Sequence, residues 1–378
     1  MLRNAVSRLL ASPHHNDYFN EGENLVMELK IIKTEHKKEK PTGKLGFGKY
    51  FTDHMFIMEY DGTQWTNARI QPYQDLHLSP ASSVLHYAQG VFEGAKAYKN
   101  KDGQIRLFRL NDNLDRMCDS AERLCMPTFD KKFIYEAIKQ LVLIDEDWIP
   151  TEEGTALYIR PTMIATEGAL GVHASKTYLM YVIIGPAGAY YANGLAPVKL
   201  LVEESYVRAA KGGTGGHKVI GNYAASMKAG ENAHAKGYDQ AMWLDAKYHR
   251  YVEEVGAMNI FFVMNGEVYT PALRGSILPG ITRRSVIALL RSHGYKVHEC
   301  NVDIRKVAEA AESGALTEIF GTGTAAVISP VGAFGYRGKD FVVNGGEMGE
   351  ISKKIYDELT GIQSGKYEDR MGWVDIIK

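Results

Sequence analysis

The spacing of apolar residues predicts short strands and amphipathic helices along most of the chain. One apolar set recurs at intervals of three and four, which predicts the buried stripe of a helix over residues 111–125; its members are Leu114, Met117, Cys118, Ala121, Leu124 and Cys125. The same reasoning predicts helices at 131–145, 222–236, 281–293, 304–313 and 348–361. Short apolar runs bounded by turn residues predict strands at 54–60, 156–161, 177–185 and 295–302.

The order of these elements predicts two domains. We expect a small α+β domain over residues 45–190, an interdomain loop over 191–201 and a larger, mixed α/β domain over 202–378. Residues 1–44 are predicted to be an N-terminal extension, of which 31–44 are charged and expected to be mobile.

The first 26 residues differ from the rest of the chain. They carry Arg3 and Arg8, no acidic residue before Asp17, and apolar residues at helical spacing. This pattern is typical of a mitochondrial transit peptide, and the alternative is a leader before a start at Met27.

Composition excludes several classes of protein. Lys and Arg number 44 and Asp and Glu 45, so the formal net charge of −1 predicts no attraction to nucleic acid or anionic membranes. Three cysteines are too few for a disulfide scaffold and indicate a reducing compartment, the cytoplasm or, with a transit peptide, an organelle. None has zinc-site spacing, and no metal is predicted. No apolar run approaches the roughly 18 residues that span a bilayer.

A glycine-rich loop delivers a lysine to the start of a helix. Residues 211–226 read KGGTGGHKVIGNYAAS, with Lys218 directly after the glycines. A nucleotide-binding P-loop requires Gly-Lys-Ser/Thr, whereas Val219 follows the lysine here. A pocket lysine can instead bind the aldehyde of pyridoxal phosphate covalently. The alternative is a solvent-exposed loop lysine.

Three further stretches could bind a cofactor. Glu254 precedes a turn and an apolar strand, and a carboxylate there could keep a pyridine nitrogen protonated; a surface glutamate is the alternative. Residues 277–285 place Pro279-Gly280 at a helix start, which can bind an anion or simply cap the helix. Residues 321–326, GTGTAA, resemble a dinucleotide motif, but the nearby Ser329-Pro330 precludes the long helix of that fold. A tight turn that binds phosphate or carboxylate fits better.

The first half holds aromatic and arginine candidates: Phe47, Tyr87, Phe92, Arg116, Tyr158 and Arg160. An arginine such as Arg116 could bind a phosphate through two nitrogens. Taken singly, each of these residues could equally be structural.

Together these stretches resemble the branched-chain amino-acid aminotransferases, which are pyridoxal-phosphate enzymes of fold type IV. The resemblance runs from Phe47 to the C-terminus, and it rests on LHYAQGVFEGAKAY, RLFRLNDNLDRM, LYIRPTMIATEGALGV, GGTGGHKVIGNYAAS, EEVGAMN, LPGITRRS and EIFGTGTAA. The family fold implies a small α+β domain and a larger, mixed α/β, barrel-like domain.

The resemblance also implies roles in binding the cofactor. Lys218 would bind pyridoxal phosphate covalently and carry a proton, Glu254 would pair with the ring nitrogen and Tyr223 with the ring hydroxyl. The phosphate would be held by Arg116, Ile281, Thr282 and Thr324, with Arg208 and Gln240 supporting the site.

Substrate contacts follow from the same resemblance. The amides of Thr324 and Ala325, with Tyr87, would receive the α-carboxylate, and Tyr158 and Arg160 the distal carboxylate of glutamate. An apolar pocket would be walled by Phe47, Phe92, Tyr158 and Tyr190, together with Leu170 and Val172 of the partner subunit. We therefore expect a homodimer with shared active sites.

The expected activity is reversible transfer of the amino group from L-leucine, L-isoleucine or L-valine to 2-oxoglutarate, giving L-glutamate, by a ping-pong cycle through pyridoxamine phosphate. Such an enzyme serves branched-chain amino-acid metabolism, including biosynthesis. The alternatives are another type IV specificity, such as a D-amino acid transaminase or aminodeoxychorismate lyase, and a non-catalytic relative. Ala326 and Ser329 replace the redox cysteines of mammalian members, so no thiol switch is expected.

Overall fold

The computed structural model describes residues 27–188 and 195–378. The predicted leader at residues 1–26 lies outside this description. No helix in the described ranges is long and apolar enough to cross a membrane.

Residues 27–188 form eight strands and three helices. The strands are β1 (Lys30–Ile31), β2 (His54–Tyr60), β3 (Trp65–Pro72), β4 (Gly90–Phe92), β5 (Ala95–Lys99), β6 (Ile105–Phe108), β7 (Ala156–Ala165) and β8 (Tyr178–Ala187). The helices are α1 (Ser83–Tyr87), α2 (Leu110–Arg123) and α3 (Lys131–Ile144).

Residues 195–378 contain the remaining elements. The strands are β9 (Val198–Glu203), β10 (Gln240–Leu244), β11 (Tyr251–Val255), β12 (Asn259–Met264), β13 (Glu267–Pro271), β14 (Val297–Cys300), β15 (Val302–Asp303), β16 (Leu316–Gly323), β17 (Val327–Tyr336), β18 (Lys339–Val342) and β19 (Val374–Ile376). The helices are α4 (Ile220–Ala224), α5 (Met227–Ala235), α6 (Ile281–Ser292), α7 (Ile304–Ser313) and α8 (Glu350–Ser364).

The strands form two sheets. The first has the order β1-β3-β2-β8-β7-β5-β6-β19, with β4 paired to β7, and all its pairings except β1 with β3 are antiparallel. The second has the order β14-β13-β12-β16-β17-β9-β10-β11-β15, with β18 paired to β17. It is mixed, because β9 runs parallel to both β10 and β17. This architecture agrees with the predicted α+β and mixed α/β fold class.

The core of the first sheet lies beneath α2 and α3. Leu114, Met117 and Ala121 of the predicted stripe are fully buried there. Cys125 is exposed instead, because α2 ends at Arg123 and the chain turns away at a positive φ. The side chain of Asp130 caps α3 by accepting hydrogen bonds from the amides of Lys132 and Phe133. The apolar stripe thus fixes how this pair of helices packs.

Three segments differ from the sequence predictions. The single helix expected at 222–236 is two, α4 and α5, separated at Ser226, whose hydroxyl bonds the Tyr223 carbonyl. The charged segment 31–44 contacts the first sheet, where the Lys38 amide donates to Asp53 at 2.7 Å. At the other terminus β19, which the domain prediction placed with the second domain, pairs with β6 of the first sheet. The predicted domain boundaries remain a prediction.

The glycine-rich loop meets the first sheet at β4. Val219 forms an isolated bridge with Val91, and the Phe92 amide donates to the Lys218 carbonyl at 3.2 Å. The turn between β16 and β17 approaches from the second sheet, since Lys96 of β5 donates to the Ala325 carbonyl. The chemistry-bearing residues therefore collect between the two sheets.

Candidate active site

Lys218 is fixed through its backbone and faces an aromatic pair. Its amide donates to Ser120 Oγ at 3.0 Å, and its Nζ donates to the Tyr223 hydroxyl at 2.9 Å. The Nζ also lies 4.7 Å from the centroid of the Phe92 ring. Gly215 lets the preceding loop pack closely, because a Cβ there would lie 2.3 Å from the Ser276 carbonyl oxygen. The loop thus presents the lysine to a tyrosine five positions later, in α4.

Glu254 is a buried carboxylate, and one of its two oxygens can still accept a hydrogen bond. It is 2% exposed at the end of β11, and Asn259 Nδ2 donates to its Oε1 at 3.1 Å. Arg208 Nη1 lies 2.6 Å from Oε2, but that nitrogen donates to the carbonyls of Ser276 and Gly215. No directed hydrogen bond from the described residues reaches Oε2. This atom is therefore suited to accept a hydrogen bond from a ligand N–H.

Burial controls the ionisation of Glu254. Desolvation raises the pKa of its carboxyl from 4.5 to about 7, against the opposing charges of Arg208 and Lys218. A cationic ring nitrogen at Oε2 would relieve this desolvation and favour the ionised form.

Arg116 is held by a carboxylate that sequence reasoning missed. Glu93, between β4 and β5, is fully buried and accepts from Arg116 Nε at 2.7 Å and Nη2 at 2.8 Å. Burial alone would raise the pKa of Glu93, but the guanidinium holds it below its usual value. Arg116 Nη1 donates to the Pro279 carbonyl at 3.0 Å, which places the arginine at the start of α6. The only sequence signal for Glu93 is its position within FEGAK.

Three of the four predicted phosphate residues line one cavity. Ile281 and Thr282 begin α6 and Thr324 lies in the β16–β17 turn; all three line this cavity. The cavity is also lined by Lys96, which sequence reasoning missed; burial lowers the pKa of its ammonium to about 8. The unpaired first amides of a helix and two threonine hydroxyls suit an anion.

Predicted substrate residues form an aromatic wall with an embedded arginine. Tyr158 and Arg160 point to the same face of β7, and Arg160 Nη2 donates to the Tyr158 hydroxyl at 3.1 Å. The Arg160 Cζ lies 4.6 Å from the centroid of the Phe92 ring, and the Phe47 and Tyr158 rings are 4.8 Å apart. The structure thus brings these four residues together beside Lys218.

Tyr87, Leu170 and Val172, which were also predicted as substrate residues, lie outside this aromatic wall. The Tyr87 hydroxyl donates to the Leu170 carbonyl at 2.5 Å. Leu170 is 64% and Val172 84% exposed, so neither wall residue is buried within its own chain. Tyr190 lies outside the described residues.

The sequence of this chain is similar to those of known aminotransferases. Residues 90–334 match the family described as amino-transferase class IV. Branched-chain-amino-acid aminotransferase 2 of Bacillus subtilis (strain 168) is 52% identical over 347 residues, 91% of this chain and 96% of that protein. The corresponding protein of Mycobacterium tuberculosis (strain CDC 1551 / Oshkosh) is 45% identical over 90% of this chain and 94% of its own.

Solved structures extend the similarity to the fold. The branched-chain aminotransferase of Thermoproteus uzoniensis with norvaline matches at a TM-score of 0.72 and 27% identity, covering 86% of this chain and 100% of that chain. The T.th. branched-chain amino acid aminotransferase complexed with N-(5′-phosphopyridoxyl)-L-glutamate matches at a TM-score of 0.69 and 27% sequence identity. The match covers 85% of this chain and 98% of that chain. The matched family segment spans β4 to β17 and includes Lys218, Glu254 and the β16–β17 turn.

Proposed function

The chain belongs to the amino-transferases of class IV and, within them, to the branched-chain-amino-acid aminotransferases, which use pyridoxal phosphate. From this premise we propose that it transfers the amino group of L-leucine, L-isoleucine or L-valine to 2-oxoglutarate. The reaction is reversible and yields L-glutamate and a branched 2-oxo acid. When bound, pyridoxal phosphate accepts the amino group and stabilises negative charge at the amino acid's Cα. One site serves donor and acceptor in turn, so the cycle is ping-pong.

The residues present fit the cofactor. Glu254 Oε2 is ion-paired with Arg208 but accepts no directed hydrogen bond from the described residues, so it suits the ring N–H. Tyr223 suits the ring hydroxyl. Arg116, Thr282 and Thr324, with the first amides of α6, suit the phosphate. Lys218 Nζ, which donates to the Tyr223 hydroxyl, would bind the cofactor aldehyde and move the proton at Cα.

The surroundings of the Arg160 guanidinium support the proposal that one pocket accepts both leucine and glutamate. Its Nε is buried and no described residue accepts a hydrogen bond from it, although aromatic rings surround the guanidinium. An apolar side chain can pack against the rings, while a distal carboxylate can bind the free Nε. The T. uzoniensis relative with norvaline and the T.th. relative with a phosphopyridoxyl-glutamate support both halves of this dual use.

Replacing Arg160 with Met tests this assignment. We expect kcat/KM for glutamate and for 2-oxoglutarate to fall roughly 100-fold or more, because a buried carboxylate would lose its cation. We expect kcat/KM for leucine, measured in the half-reaction without an acceptor, to change less than about five-fold, since Met preserves the apolar volume. Arg160→Lys should recover part of the glutamate activity. Equal losses for leucine and glutamate would contradict the assignment.

The exposed segment around Leu170 supports a homodimer. Leu85, Tyr87, Leu170 and Val172 are exposed apolar residues, and the hydrogen bond from the Tyr87 hydroxyl to the Leu170 carbonyl joins their two segments. Exposed apolar groups of this kind mark interfaces, and we propose that the group enters the pocket of a second copy.

Sedimentation of Val172→Asp tests the dimer. We expect the wild-type holoenzyme to sediment at twice the chain mass and the variant to dissociate, or to raise KM for leucine at least about ten-fold, because a charge would be buried in an apolar contact. Val342→Asp, at an equally apolar exposed site on β18, is the matched control and should behave as wild type. A fully active wild-type monomer would refute the shared pocket.

A further inference from the structure

Lys96 is a buried cation that the proposed reaction does not yet use. It lies on β5, is 8% exposed, and its Nζ donates to the Ala325 carbonyl at 2.8 Å. A buried ammonium is costly unless its charge is balanced, and a carbonyl supplies only a dipole. The position of this charge against one particular peptide of the β16–β17 turn therefore calls for an explanation.

The cavity next to Lys96 contains no counter-charge. Its polar lining includes Tyr98, Asn113, Thr282, Thr324 and Gln363, and no Asp or Glu lines it within the described part of the chain. Gln363 is 4% exposed, and its Oε1 has no hydrogen-bond donor among the described residues. Tyr98 is the other titratable group of this lining, and burial raises the pKa of its hydroxyl, which keeps it neutral. The described residues of the cavity thus offer one positive charge and no negative one, so a bound anion can balance it, either the cofactor phosphate at Thr282 and Thr324 or a substrate carboxylate at the β16–β17 turn.

The turn that Lys96 contacts is conformationally demanding. Three residues, Thr324 to Ala326, connect β16 to β17, and the chain re-enters β17 through Val327 at a φ of 62°. A β-branched residue in this left-handed region is unfavourable and needs support from its surroundings. Lys96 supplies such support from the other sheet by fixing the carbonyl of Ala325, at the centre of the turn.

We propose that Lys96 is a positioning residue for the substrate α-carboxylate: its ammonium anchors the Ala325 carbonyl and supplies the positive charge that balances the carboxylate at the amides of Thr324 and Ala325. The inference rests on the proposed function, which places the carboxylate at this turn. The ammonium acts through the turn. It fixes one peptide, restrains the adjacent amides and makes the potential at the turn more positive.

The experiment compares a carboxylate with its neutral amide. The probes are 4-methylvaleric acid, which has the leucine skeleton without the amino group, and 4-methylvaleramide. Dissociation constants are measured on the pyridoxal-phosphate holoenzyme of wild type, Lys96→Met, Lys96→Arg and Lys99→Met. Lys99 lies on the same strand and has no place in the cavity lining, so its variant controls for the loss of a positive charge.

We expect Lys96→Met to weaken binding of the acid roughly ten-fold and to leave binding of the amide unchanged. Lys96→Arg should retain acid binding within about three-fold, and Lys99→Met should match wild type. The affinity for pyridoxal phosphate should be the same in all four proteins, because the charge serves the carboxylate.

Three results would overturn the inference. Unchanged acid binding in Lys96→Met would show that the charge is not used, and equal weakening of acid and amide would show a structural role only. Loss of pyridoxal phosphate affinity in step with acid affinity would assign the charge to the cofactor phosphate instead. If the wild-type holoenzyme converts no leucine and binds no 4-methylvaleric acid, the proposed function itself fails, whatever Lys96 does.

Discussion

The Lys218→Ala variant is expected to lose at least about 10³-fold in turnover of leucine with 2-oxoglutarate, while it still binds pyridoxal phosphate without a covalent bond. Lys218 Nζ both binds the cofactor aldehyde and moves the proton at Cα, and loss of general acid–base catalysis alone costs about 10²- to 10⁴-fold. Glu254, Arg116 and Tyr223 are unchanged in the variant and should retain the cofactor. Steady-state kinetics measures the loss, and mass spectrometry after borohydride reduction detects the covalent bond.

Lys211→Ala is the matched control for Lys218→Ala. Lys211 is an exposed lysine at the start of the same glycine-rich loop, so its removal changes net charge and loop sequence equally. We expect wild-type turnover and a cofactor-modified Lys218 in this control. Substantial turnover by Lys218→Ala, or borohydride labelling of another lysine, would remove Lys218 from its assigned role.

The Glu254→Gln variant is expected to lose at least about 100-fold in turnover, the loss typical of removing a group that stabilises charge developing in a transition state. Gln can still accept a hydrogen bond from Asn259, but it cannot keep the cofactor ring nitrogen protonated. The loss should appear in kcat for leucine and for glutamate alike, because both substrates react on the same ring. A variant with wild-type kcat would show that Glu254 does not interact with the cofactor ring.

The same substitution should alter the pH dependence of apoprotein stability. Burial raises the pKa of Glu254 from 4.5 to about 7, so folding gains stability from its proton below about pH 4.5 and loses that contribution as pH rises through 7. The contribution is at most about 3 kcal/mol, and Gln lacks it. Denaturant midpoints of the apoprotein between pH 5 and 8 should therefore fall less steeply for Glu254→Gln. Parallel curves would contradict the raised pKa.

Residues whose roles depend on local sequence were predictable. The 304–313 helix forms as expected because Asp303 caps its start and Gly314, at a positive φ, ends it. The motif around Lys218 indicated its chemistry, since the glycines and Tyr223 lie within a few positions of it. Residues 220–236 were less regular than their periodicity suggested, because Ser226 bonds back to Tyr223 and starts a new helix.

Residues whose roles depend on distant contacts were not predictable. Glu93 meets Arg116 only when β4 packs against α2, and Lys96 meets Ala325 across 229 positions of sequence. Both residues lie in the stretch FEGAK, but nothing in that stretch names Arg116 or Ala325 as the partner. The short strand β19 was missed for a different reason, since three residues are too few to show a period of two.

The visible absorbance of the purified, undialysed protein, recorded before and after addition of L-leucine without an acceptor, tests the central claim most directly. We predict a yellow protein whose band disappears on addition of leucine as the amino group passes to the cofactor, and returns on addition of 2-oxoglutarate. A yellow band that L-leucine, L-isoleucine and L-valine all leave unchanged would contradict the proposed specificity. A colourless protein that pyridoxal phosphate cannot reconstitute would contradict the account of the site as a whole.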